Sequence, residues 1–135
     1  MTSHTSRRRL NASGALVLCA GLFLAGCQAR DAGAGVSVEH EITPRPPRVG
    51  QAIVTLRVAD DAGRPLGGVR VSLEGNMSHA GMRPVFAEAR ELEPGRYQSG
   101  LEFTMGGDWV VTVRLTLPDG RKVEREFDVK GVKSG

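Results

Sequence analysis

The strongest constraint on the fold is an alternation of apolar and polar residues with a period of two. It begins at Val36 and recurs to Val129, and no run between them shows helical periodicity. Asp108-Trp-Val-Val-Thr-Val-Arg-Leu-Thr-Leu117 carries it most plainly. Trp109, Val111, Val113, Leu115 and Leu117 fall on one side of an extended chain, and Thr112, Arg114 and Thr116 on the other. The same parity groups Val36, Val38, His40 and Ile42, then Val54, Leu56 and Val58, then Val69, Val71 and Leu73, and later Tyr97, Leu101 and Phe103. Val85 to Leu92 reads as a less regular edge strand, and Lys122 to Val129 as the second strand of a closing hairpin after Pro118-Asp119-Gly120. Prolines and glycines punctuate the rest at residues 44–47, 60–68 and 93–96. About seven short strands separated by such turns predict an all-β fold, an immunoglobulin-like antiparallel β-sandwich.

At 135 residues and 40% hydrophobic composition, the chain holds one modest domain with its own core. Residues 1–26 lie outside that domain, because Arg7-Arg8-Arg9 followed by a mostly apolar stretch from Leu10 to Phe23 has the layout of a signal peptide. Its end, Leu24-Ala25-Gly26-Cys27, resembles the bacterial lipobox. That resemblance implies cleavage before Cys27, lipidation of the Cys27 thiol and a membrane-anchored protein facing the periplasm. Gln28 after the cysteine points to the outer rather than the inner membrane of the cell envelope. A plain secretory signal also ends in small residues, so a soluble exported protein is the alternative. Residues 27–35 are small and polar and read as a flexible tether, which leaves 36–131 for the folded domain.

Processing also resets the charge. Removing Arg7, Arg8 and Arg9 takes the eighteen Lys and Arg residues to fifteen, equal to the fifteen Asp and Glu residues. The basic character therefore belongs to the targeting segment, and no nucleic-acid surface is expected. With Cys19 in the signal and Cys27 as the anchor, the domain has no cysteine pair to bridge.

In an antiparallel sandwich every second connection lies at the same end. The loops near 44–50, 75–84 and 104–108 are expected at one end, facing away from the membrane. The turns near 60–68, 93–95 and 118–120 are expected at the other, with the tethered start of the first strand. The first set is chemically distinctive. Apart from the initiator there are three methionines, Met77, Met82 and Met105, and all lie in Gly75-Asn-Met-Ser-His-Ala-Gly-Met-Arg-Pro84 or Phe103-Thr-Met-Gly-Gly-Asp-Trp109. Cu(I) is a soft ion that favours thioether and imidazole donors. Met77 and His79 share parity, Met105 continues the parity of Leu101 and Phe103, and Trp109 is placed to shield an ion with its ring. The candidate metal ligands are therefore Met77, His79 and Met105, with Met82 assisting. Each has a plainer reading. Methionines at the end of a sandwich plug its core, His40 on an apolar face is most simply a core histidine, Trp109 the central aromatic, and Asp108 a turn cap.

The two methionine stretches, with Pro94-Gly95-Arg96-Tyr97 between them, resemble the YtkA-like domain, a group related to FixH. The resemblance spans about residues 36–130, and it implies a small exported β-sandwich of the kind found near copper handling or cytochrome oxidase assembly. An enzyme is not expected, since no Ser/His/acid set, phosphate-binding glycine loop or paired carboxylates are visible. Zinc would want more nitrogen, thiolate or carboxylate ligands, because only His40 and His79 survive processing. The expected function is a lipid-anchored periplasmic module that binds or delivers Cu(I), in the manner of a metallochaperone. The alternative is a metal-free envelope module that meets a protein partner, for example in assembly of a membrane complex.

Overall fold

A computed structural model describes residues 33–79 and 81–135; the signal segment, Cys27 and the first part of the expected tether lie outside the described residues. Seven antiparallel strands form the fold: β1 (Val36–Thr43), β2 (Gly50–Asp60), β3 (Arg70–Met77), β4 (Val85–Glu93), β5 (Arg96–Phe103), β6 (Gly107–Thr116) and β7 (Lys122–Val132). Their spatial order is β1-β2-β5-β4-β3-β6-β7.

The strand that turns this ribbon into a sandwich is β4. Its first half pairs with β3, from Val71↔Ala89 to Gly75↔Val85, and its second half pairs with β5, from Arg90↔Gln98 to Glu93↔Arg96. A register irregularity between Glu91 and Glu93 marks the β5 side, and local disruption of this kind bends a strand. The result is two packed layers that share β4, rather than a β4 lying at an edge as the sequence pattern suggested. The reason lies in its side chains. On the inward face β4 carries only Val85, Ala87 and Ala89, which are partly buried against the core, so its alternation is weak even though it is paired on both sides.

The true edges are β1 and β7, and they face each other across a seam. Arg125 Nη2 donates to the carbonyls of Gly33 (2.9 Å) and Val36 (3.0 Å). His40 stacks on Phe127 with ring centroids 3.8 Å apart, and Arg48 bridges Lys133 near the end of β7. These contacts cover strand edges that would otherwise invite pairing with another chain.

The interior follows the alternation. Val54, Leu56, Leu73, Tyr97, Phe103, Trp109 and Val113 are almost wholly removed from water, and the core as a whole draws on residues from Val36 to Val132. Tyr97 also ties the layers together. Its hydroxyl accepts from the Val69 N–H (3.0 Å) and donates to the Leu66 carbonyl (2.8 Å), where the chain crosses from β2 to β3.

Register places the ends. Gly50 pairs with Phe103 and Met77 with Trp109, so the connections 44–49, 78–84 and 104–106 lie together. Val36 pairs with Asp60 and Arg57 with Arg96, so the start of β1 lies at the opposite end.

Candidate metal site

Gly75 is where the methionine end begins. The sequence reads it as the start of a loop, but β3 continues through it to Met77. A Cβ at Gly75 would stand 2.8 Å from Val85 Cγ2 and 3.5 Å from the Trp109 ring, so a neighbouring strand and an indole close over a position with no side chain. Because the strand continues, Met77 is the last paired residue of β3 rather than a loop residue. It lies opposite Trp109 and is half-buried against the core.

Trp109 joins the two methionine segments. Its side chain is fully buried, it meets Phe103 edge-to-face at 5.3 Å, and its Nε1–H donates to the Met105 carbonyl at 3.0 Å. The Met77 side chain reaches toward the same loop, since a Cβ at Gly107 would come within 3.2 Å of Met77 Cε. Gly107 has a φ of 124°, in a region that disfavours any side chain, so glycine serves both the bend and the close approach of the thioether. Beyond Met77, the Ser78 N–H (3.2 Å) and Oγ (2.9 Å) both donate to the Asp108 carbonyl.

Asp108 does more than cap a turn. Its Oδ1 accepts from the Gly131 N–H at 2.8 Å, which ties the start of β6 to the end of β7. Sequence reasoning missed this role, as it missed those of Tyr97 and Arg125. A buried Tyr at Tyr97 was a usable signal, because its hydroxyl must find a partner. Nothing local marks Arg125, whose acceptors across the seam lie 89 and 92 residues away.

The four candidate ligands thus lie at one end in unequal settings. Met77 is half-buried on a paired strand, His79 is exposed two residues further on, and Met82 and Met105 are 36% and 48% exposed on their loops. Among the described residues no three of His, Cys, Asp and Glu gather as a metal-holding group. The candidate ligands themselves are thioethers and one imidazole, donor types that suit a soft ion better than a hard one.

His40 lies elsewhere. The sequence parity suggests a core histidine, but its side chain is exposed at the seam, because β1 is an edge strand and the inward side of its middle opens toward Phe127. Partial burial, with the Arg45 charge as a lesser cause, lowers its pKa and favours the neutral ring.

The profile of the family described as YtkA-like matches residues 34–114. Among solved structures, the soluble domain of PmoD from Methylocystis sp. ATCC 49242 (Rockwell) is 14% identical at a TM-score of 0.47, covering 76% of this chain and 98% of that one. The ZirS C-terminal domain is 12% identical at 0.49, covering 98% and 88%, and murine CRIg is 13% identical at 0.41, covering 73% and 98%. No curated protein matches the sequence.

Proposed function

The chain belongs to the YtkA-like family, and from that premise we propose that it is a lipid-anchored envelope module facing the periplasm, which takes up Cu(I) and passes it on through Met77, His79 and Met105, with Met82 assisting. Copper here is cargo, and the reading includes no catalytic step. One observation supports it: Met77 and Met105, 28 positions apart in the chain, are both tied to Trp109, Met77 as its cross-strand partner and Met105 through its backbone carbonyl. Thioethers and imidazole are the donor types that a soft Cu(I) ion favours. Weak neutral donors on exposed loops also release it readily, which suits delivery rather than storage.

The anchor fits the same geometry. Cys27 precedes β1 by nine residues, and β1 starts at the end opposite Met77, so lipidation there turns the sulfur-bearing end away from the bilayer. Gln28 favours the outer membrane.

The test is an anaerobic Cu(I) titration against a competing chromophoric chelator. It compares a soluble form beginning at Gln28, which keeps the whole core, with the Met77→Ala, His79→Ala, Met105→Ala triple variant. The reading expects binding by the first and its loss in the second. Equal behaviour of the two ends the copper proposal and leaves a metal-free interaction module.

A further inference from the structure

At the end where β1 starts, three exposed arginines are matched within the chain, Arg64 with Asp60 at 2.8 Å, Arg96 with Glu93 at 3.6 Å and Arg121 with Asp119 at 2.8 Å, whereas Arg70 and Lys122 make no ion pair among the described residues. At the methionine end Arg45, Arg48, Arg83 and Lys133 are all exposed, and none makes an ion pair among the described residues. Lys130 alone of the cations there is matched, by Asp108 and Asp128.

Among the described residues six large hydrophobic residues are exposed, and Val49, Met82, Phe86 and Met105 are at or beside this end, with Phe86 the most open at 70%. Val49, Met82 and Phe86 each lie close in sequence to an unmatched cation. Val49 follows Arg48, and its N–H donates to the Lys133 carbonyl at 2.9 Å. Arg83 follows Met82 and is three residues before Phe86. Exposed apolar residues and unmatched like charges gathered at one end have no internal purpose in the fold.

We propose that this end docks onto an acidic protein surface with apolar residues at its centre, its carboxylates meeting Arg45, Arg48, Arg83 and Lys133 and its apolar residues covering Phe86, Met82 and Met105. The four unmatched cations repel a second copy presented end to end, so the partner is a different protein. A bilayer carries the same negative charge. The choice of protein over lipid rests on the anchoring proposed above, since a body tethered at the far end holds this face away from its own membrane. The partner fits the role of copper acceptor, because its surface would cover the exposed donors.

The probe is a short fluorescein-labelled peptide of alternating glutamate and leucine, followed by anisotropy against the soluble form beginning at Gln28. A glutamine–leucine peptide and phosphatidylglycerol vesicles run alongside. The expected result is salt-sensitive binding of the acidic peptide, weakened about tenfold or more by Arg45→Ser, Arg48→Ser and Arg83→Ser together. Phe86→Ser should weaken it separately, and the far-end pair Arg64→Ser and Arg96→Ser should leave it unchanged. Equal loss in the far-end pair, equal binding of the glutamine peptide, or binding of vesicles without peptide overturns the proposal. All these variants keep Met77, His79 and Met105, so the Cu(I) titration reads independently. Peptide binding by a chain that takes no Cu(I) supports the docking surface and overturns the copper reading, whereas Cu(I) binding without peptide binding overturns the docking surface alone.

Discussion

Trp109→Phe separates what the indole does for the fold from what it does for the methionine end. Trp109 is fully buried and is the single tryptophan of the chain. Shrinking the ring to phenyl removes about 40 Å² of buried apolar surface, roughly 1 kcal/mol at ~25 cal/mol per Å². The space left beside Gly75 adds a cavity cost of about the same size. Loss of the 3.0 Å bond to the Met105 carbonyl adds roughly 0.5–1 kcal/mol, at the low end because water reaches that exposed loop. The total of about 2–3 kcal/mol corresponds to a Tm drop of roughly 10–20 °C for a domain of this size. Thermal unfolding followed by far-UV circular dichroism measures it. The bond makes a second, separable prediction. Without it the Met105 backbone is no longer held beside Met77, and Cu(I) affinity by chelator competition should fall about tenfold, the usual effect of losing a residue that orients a ligand. A variant that loses stability as calculated, yet keeps its Cu(I) affinity and the amide exchange rates of residues 104–107, would refute the idea that the indole positions Met105.

Tyr97→Phe should cost about 2 kcal/mol by urea unfolding, because it leaves the Val69 N–H buried without an acceptor and the Leu66 carbonyl without its donor. Burial is the main cause of the raised Tyr97 pKa. The folded chain therefore keeps this proton above about pH 10, where the unfolded chain releases it, and stability falls as pH rises toward the folded value; the Phe variant should lack that part of the alkaline slope. Dilute peroxide should convert exposed Met105 and Met82 to sulfoxides before half-buried Met77, as read by peptide mass spectrometry, and Cu(I) binding should decline with the first of these events. Arg125→Ala removes two bonds across the seam, and should raise amide exchange in β1 severalfold while leaving β6 unchanged.

Parity made the inside of this protein readable, and antiparallel order made its two ends readable. Val54, Leu56, Trp109 and Val113 are buried as their spacing requires, and the three connections expected to share an end do so. The features that were not readable all depend on which strand lies beside which. The small inward residues of β4 look like those of an edge, although the strand is paired on both sides. His40 has the spacing of a core residue on a strand that proves to be the edge. Gly75 looks like a loop residue when seen alone. It becomes a strand residue once Trp109 and Val85 are placed above it, and that moves Met77 from a loop onto the end of β3.

That shift of Met77 changes the physical character of the site. A donor on a paired strand, packed against the core and against Gly107, keeps its position with or without an ion. Donors on exposed loops do not, and their ordering entropy is lost only when they bind. On the copper reading the four candidates therefore divide into one fixed thioether and three adaptable ligands, His79, Met82 and Met105. Such a division allows an ion to leave stepwise: the loop donors let go toward a partner one at a time while Met77 still holds, and no step exposes a bare ion. The Met82 loop carries the unmatched cation Arg83, and the neighbouring 44–49 connection carries Arg48. A partner drawn in by those charges thus arrives at the side of the site where the ligands are weakest, and the buried side, closed by Trp109 and Phe103, offers it no entry.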